Sequence, residues 1–358
     1  MIKISGTGSY LPNDPIKNED LSFIGGGVVN VAAAFLGLKQ RHWAVDIPTN
    51  QIVPGNTNSE MATKAARRAL EDARLTPQDI DLIVLGTSTP DYPAPPTVVY
   101  VQEQLNLERC AVLELRSGCV GFIQALAVAQ GFLKCGQYKN ILVIGSELNS
   151  SFGIPYKKGK QVSMDNKLTA YMFGDGAAAV VLQASEGESQ ILGTCFGSIG
   201  TGKKEGFVVK AGGSLYPPTK HCINELSAET EQDYKQVLLY GPVLIKEAIT
   251  ALQKVVPFKK ESIRYIIPPQ ANINIMRIVK FRFGSEYSFH DEQVFINISR
   301  VGNTFSASLP LALDELNRGK LLKDGDLILL VGAEITKWIY GAALIRWQNT
   351  GALAAKQP

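Results

Sequence analysis

The chain repeats itself once, and that repeat limits the folds open to it. Arg68–Thr89 (RALEDARLTPQDIDLIVLGTST) and Lys246–Asn272 (KEAITALQKVVPFKKESIRYIIPPQAN) share one pattern: helix, loop, buried strand, loop. Cys119–Glu147 and Asn303–Glu334 share another. Each starts at a polar residue, runs through a helix and a Gly-containing turn, and ends in an apolar strand closing Gly-small-Glu. Ile83 and Tyr265 are about 182 positions apart, Cys119 and Asn303 about 184, Gly145 and Gly332 about 187. Solenoid repeats have periods of roughly 20–50 residues, so a period this long predicts two similar domains. The boundary is placed at 1–185 and 186–358, and Gly197–Glu225, rich in Gly, Lys and Pro, reads as a long loop between the halves.

Within each half, short β-rich runs alternate with helical patterns. ILVIGSE and LILLVGAE are continuously apolar, as strands covered on both faces must be. The alternation predicts an α/β fold with mostly parallel sheets. Thr57 and Glu60 have the spacing of a capping box, which predicts a helix beginning after Thr57.

Several function classes are disfavoured. A net charge of +3 is too small for a ligand held by phosphate neutralisation, so no nucleic acid is expected. Five scattered cysteines with no CxxC pair predict neither a metal site nor a disulfide framework, and they fit a reducing cytoplasm. MIKISGTGSYLP reads as a strand and turn rather than a signal peptide, and no run reaches the roughly 18–20 apolar residues of a membrane helix. Neither GxxxxGK[ST] nor a strand-linked GxGxxG is present, so no nucleotide cofactor is expected.

Cys119 lies between Gly118 and Val120-Gly121, ahead of a helix predicted over Val120–Lys134. A helix N-terminus carries partial positive charge and free N–H groups, which favour a thiolate. Free cysteines are also common core residues, so position alone leaves packing and chemistry both open. The repeat mate of Cys119 is Asn303, in VGNTFSAS, whose amide can polarise a carbonyl oxygen. A nucleophile and an amide donor at equivalent places in two halves predict acyl-thioester chemistry.

At this point the chain resembles the beta-ketoacyl-acyl carrier protein synthase III enzymes of the thiolase fold. The resemblance rests on ISGTGSYLPND (Ile4–Asp14), SGCVGFIQAL around Cys119, YMFGDGAAAVVL (Tyr171–Leu182), PPQAN (Pro268–Asn272) and GNTFSASLPLALDE (Gly302–Glu315). It implies a dimer, homo- or heteromeric, of five-layered α-β-α-β-α subunits built from two pseudo-symmetric halves. It also implies transfer of an acyl group from acyl-CoA or acyl carrier protein onto Cys119, with Asn303 as an oxyanion donor.

Three features depart from that family's pattern. Its Pro-His-Gln-Ala-Asn stretch reads PPQAN here, with Pro269 at the histidine position. Proline has neither a side-chain donor nor a backbone N–H, and losing one oxyanion donor costs roughly 100- to 1000-fold in rate. The family's Gly-Gly-Gly stretch is replaced around Ile335, Thr336 and Lys337, and no tryptophan to stack on an adenine is evident near Gly25-Gly26-Gly27. His42, His221 and His290 are the only histidines, each either a substitute or a satisfied structural residue. Arg277, Lys280 and Arg282 follow PPQAN, either as a docking surface for carrier protein or CoA or as a solvated helix face. Tyr92, Phe152 and Tyr156 are candidates for the acyl pocket. Three readings follow. One is an acyltransferase that passes the acyl group to a carbon, oxygen or nitrogen acceptor in secondary metabolism. Another is a decarboxylating synthase with a substituted histidine. The third is an impaired subunit paired with an active homologue.

Overall fold

The structure is a computed structural model that describes residues 1–153, 164–209, 214–215 and 230–349. Tyr156 and His221 lie outside the described residues.

The repeat is visible in the order of the strands. The first sheet contains β1 (Ile2–Tyr10), β2 (Leu82–Gly86), β3 (Ala111–Leu115), β4 (Asn140–Glu147) and β5 (Gly176–Ala184), in the order β1-β5-β4-β2-β3. β1 and β5 are antiparallel, as are β5 and β4, whereas β4, β2 and β3 run parallel. The second sheet contains β6 (Ile191–Ser198), β7 (Ile263–Ile267), β8 (Leu327–Glu334) and β9 (Ile339–Arg346), in the order β6-β9-β8-β7. Its directions match: β6–β9 and β9–β8 antiparallel, β8–β7 parallel. The place that β3 holds in the first sheet is reduced here to one parallel bridge between Ile266 and Val294.

Seven helices matter for the site and the layers: α1 (Ser22–Phe35), α2 (Asn58–Ala73), α3 (Thr97–Gln104), α4 (Gly121–Lys134), α5 (Tyr234–Val255), α6 (Ile275–Phe283) and α7 (Ser308–Arg318). α2 and α3 cover the outer face of the first sheet, and α5, backed by α6, covers that of the second. α4 packs on β2, β4, β6 and β9, and α7 on β1, β5, β7 and β8, so these two form the layer between the sheets. The result is α-β-α-β-α. α4 suits that middle place because it is apolar on more than one side: Phe122, Ile123, Ala125, Leu126, Ala129 and Leu133 are all buried.

Local signals act where expected. Thr57 caps α2, with its side chain accepting from Glu60 N–H and the Glu60 carboxylate accepting from Thr57 N–H. Gly197–Glu225 is not wholly loop: β6 includes its first two residues, and Phe207–Val209 pairs antiparallel with Thr230–Gln232. Gly25-Gly26-Gly27 falls inside α1, which kinks at Gly26. Among the described residues no helix is long and apolar enough to cross a membrane.

Candidate active site

Both repeat helices are entered through one tight turn. Gly118–Val120 forms a 3₁₀ turn that leads into α4, so the α-helix begins at Gly121 rather than Val120. Phe305–Ala307 forms the matching turn ahead of α7, with Asn303 just before it. The two helix starts meet across the molecular centre. Gly145, on β4, lets the second of them close on the first sheet: a Cβ there would overlap the Ser306 carbonyl. One open cavity, with about 860 Å³ of empty space, lies between them and is walled by Cys119, Asn303, Pro269, Phe305 and Glu334 among others. The structure therefore brings Cys119, Asn303 and Pro269 together.

Asn303 is held by its backbone and by one end of its amide. Its N–H donates to the Met172 carbonyl at 2.8 Å and its carbonyl accepts from Gly174 N–H at 3.0 Å. Its Oδ1 accepts from Phe305 N–H at 3.0 Å. With the oxygen occupied, Nδ2 is the end left to donate, and among the described residues nothing takes it. Pro269 is buried, and its carbonyl accepts from Ala271 N–H at 2.8 Å. Its neighbour Gln270 braces the loop: Oε1 accepts from Asn297 N–H at 2.9 Å and Ile298 N–H at 3.2 Å, and Nε2 donates to the Pro268 carbonyl at 3.0 Å.

Two buried glutamates complete the centre, and neither was singled out by the sequence motifs. Glu334 ends β8 and Glu147 ends β4, the Gly-small-Glu strand ends of the two repeats. Each reaches into the other half. Glu147 accepts from Ser306 Oγ at 2.8 Å, Thr89 Oγ1 at 2.7 Å and Ser88 N–H at 3.0 Å. Glu334 accepts from Cys119 N–H, and from Thr336 N–H at 2.8 Å. Gly118 admits it: φ is +38° there, and a Cβ would overlap the carboxylate. Burial pushes Glu147 up to about 7, against hydrogen bonds that favour the anion, and burial also raises Glu334.

These carboxylates correct the expectation for the thiol. The helix start alone favours a thiolate, but burial first, then the charges of Glu334 and Glu147, hold Cys119 well above the usual thiol range. Hydrogen bonding of the thiol to Glu334 acts in the same direction. The amide N–H at the turn is spoken for by the same carboxylate.

The remaining candidates lie away from the cavity. His42 contacts the Pro12 and Asn13 carbonyls through Nδ1, each at 3.1 Å, and His290 is exposed at the turn before Asp291–Gln293. Neither lines the cavity. Arg277 is exposed and paired with Asp291 at 2.7 Å, whereas Lys280 is exposed with no ion pair among the described residues. Arg282 donates to the Leu238 and Leu239 carbonyls. Tyr92 is exposed against Tyr100, and Lys337 is paired with Glu205. Part of the cavity wall is apolar, with Leu36, Phe173, Phe207, Phe305 and Leu309. Among the described residues no group of three or more His, Cys, Asp or Glu side chains is arranged to hold a metal ion.

Comparison with known proteins agrees with this architecture. The family 3-oxoacyl-[acyl-carrier-protein] synthase III matches residues 113–200, and its C-terminal region matches residues 256–347. The beta-ketoacyl-[acyl-carrier-protein] synthase III of Clostridium acetobutylicum is 33% identical over 355 residues, covering 97% of this chain and 98% of the relative. The crystal structure of the Aquifex aeolicus synthase III superposes with a TM-score of 0.81 at 31% identity, over 97% of this chain and 100% of that one. A tetronic acid condensing enzyme superposes with a TM-score of 0.84 at 26% identity, over 97% and 100%. The fold and these relatives define a thiolase-fold condensing acyltransferase. More narrowly, the chain belongs to the beta-ketoacyl-acyl carrier protein synthase III family.

Proposed function

We propose that this protein takes an acyl group from acyl-CoA or acyl carrier protein onto Cys119. It then passes that group to an acceptor that gives up a proton rather than carbon dioxide. Asn303 Nδ2 donates to the carbonyl oxygen of the reacting thioester. The acceptor is an acidic carbon, such as that of a β-ketoacyl thioester, or an alcohol or amine of secondary metabolism.

The observation that carries this reading is the chemistry of the cavity wall. Pro269 stands buried in it without a donor, and the Glu334 carboxyl lines the same cavity from the end of the neighbouring strand. A malonyl unit would bring a second negative charge towards Glu334, with no histidine to hold its enolate. A neutral acceptor meets no such penalty. One solved relative is a tetronic acid condensing enzyme. Carrier docking is assigned to the exposed Lys280 side of α6, since Arg277 already has Asp291.

The test is intact-protein mass after incubation with a panel of acyl-CoA and acyl-carrier-protein donors, with Cys119→Ala alongside. A mass gain lost in the variant, then discharged by acetoacetyl-CoA but not by malonyl-CoA, supports the reading. No adduct from any donor overturns it.

A further inference from the structure

We propose that Glu334 is the acid–base residue of this site and does the proton transfer that Pro269 cannot. The inference deepens the acyltransfer reading above and rests on it for the identity of the donor.

The placement is specific. Glu334 is 2% exposed, ends a central strand, and lines the same cavity as Cys119 and Asn303. Buried carboxylates are rare unless they have partners. This one has no cation: Cys119 N–H and Thr336 N–H donate to it, and the Cys119 thiol and the Thr336 hydroxyl also act on it. Its pseudo-symmetric mate Glu147 shows what a purely structural glutamate looks like here. Glu147 is saturated by three hydroxyl groups and a backbone N–H and does not line the cavity. Glu334 instead divides its contacts between Thr336 and the candidate nucleophile. The other titratable groups that face the pair are Glu147, whose charge acts on Cys119, and Tyr234 on the cavity wall. Burial raises Glu334, which brings it closer to the range where a carboxylate can both take and return a proton near neutral pH.

The steps balance. Glu334 takes the Cys119 proton as sulfur attacks the thioester carbonyl carbon. The new C–S bond forms, the donor's C–S bond breaks, and the leaving thiolate takes the proton back from Glu334. In the second half, Glu334 takes the acceptor's proton as the acceptor attacks the acyl carbonyl. The bond to Cys119 breaks, and the cysteine sulfur recovers the proton. Protonation has a second effect: a neutral acid accepts a hydrogen bond more weakly than a carboxylate, so the Cys119 N–H is freed towards the carbonyl oxygen as charge develops there.

The experiment uses the whole protein and p-nitrophenyl acetate, with the p-nitrophenol burst reporting Cys119 acylation independently of any natural donor. Glu334→Gln and Glu334→Ala are compared with the unaltered protein, with melting temperatures alongside. The expected result is a burst at least 100-fold slower in both variants, in the usual range for a lost general base. Formate should partly restore Glu334→Ala, a rescue that a merely structural role would not give. A burst of unchanged rate in both variants overturns the proposal, as does slowing without formate rescue that tracks a loss of folded protein. The two readings fail separately. A burst that depends on Glu334, with no adduct from any CoA or carrier-protein donor, keeps the base and removes the donor. Donor adducts formed at equal rates with and without Glu334 keep the acyltransferase and remove the base. No burst and no adduct removes both.

Discussion

Glu147→Gln should change how stability depends on pH, by an amount the structure sets. Glu147 is fully buried, and burial pushes it up to about 7 from an ordinary 4.5. A carboxyl whose pKa is raised on folding holds its proton more tightly in the native state. Its contribution is therefore fully present below about 4.5 and is lost as pH rises through about 7. Proton linkage across that interval makes the loss between pH 5 and pH 8 roughly 2–3 kcal/mol. Glutamine cannot ionise. Its carbonyl oxygen can take the Oε1 place and still accept from Ser88 N–H and the Ser306 hydroxyl, while its amide takes the Oε2 place and donates to the Thr89 hydroxyl, whose lone pairs are able to receive it. Urea unfolding at pH 5, 6, 7 and 8 reads the difference between the two proteins. The unaltered protein should lose roughly 2–3 kcal/mol more than the variant over that range, with most of the loss above pH 5.5. Parallel curves would refute the assignment, since the titrating group would then be another carboxyl, Asp175 at about 6 being next in line.

Gln270→Ala should destabilise the protein by about 2–5 kcal/mol, because it leaves the buried Asn297 and Ile298 N–H groups without an acceptor. Chemical denaturation measures it, and a loss below about 1 kcal/mol would mean that water replaces the side chain. Gly118→Ala should abolish acylation of Cys119 in the mass assay, because the new methyl group displaces the Glu334 carboxylate at a positive φ. Wild-type acylation in a folded Gly118→Ala protein would show that Glu334 can move without consequence. Pro269→His alone should leave malonyl decarboxylation within about tenfold of the unaltered protein, since the Glu334 charge still faces the incoming carboxylate. A carbon dioxide release assay that showed a much larger gain would place the whole block at the missing donor.

What was legible in the sequence was whatever depends on neighbours along the chain or on the repeat. Thr57 and Glu60 cap α2 through contacts three residues apart. Cys119 and Asn303 are equivalent because the repeat places both before a helix, and the turns at Gly118–Val120 and Phe305–Ala307 follow suit. The site's electrostatics were not legible, because they arise between the repeats. Glu334 belongs to the second sheet but hydrogen-bonds in the first half, and Glu147 does the reverse. The Gly-small-Glu strand ends carried the signal, yet spacing alone gives no reason for two carboxylates to meet helix starts more than 150 residues away. For the same reason a helix start that favours a thiolate is outweighed here by burial of the thiol and by the facing carboxylates. The ion pair of Arg277 is not legible either, because its partner Asp291 sits beyond the end of α6.

Pro269 and Glu334 make better sense together than apart. Both line one cavity, so the site has lost a neutral donor on the β7 side and carries a buried carboxylate on the β8 side. A histidine at position 269 would hold an enolate made by decarboxylation, a reaction that needs no base for the acceptor because carbon dioxide leaves in place of a proton. A carboxylate against Cys119 works the other way: it disfavours an anionic acceptor and accepts a proton from a neutral one. The two departures therefore select the same substrate property. Under the proposed mechanism, oxyanion stabilisation would fall to Asn303 Nδ2 and to the Cys119 N–H once Glu334 is protonated, so the second donor would become available only when the proton has moved. Bond formation to the acyl carbon and proton transfer to Glu334 are thereby coupled. The acceptor's acidity, more than its size, is the property to which turnover should respond.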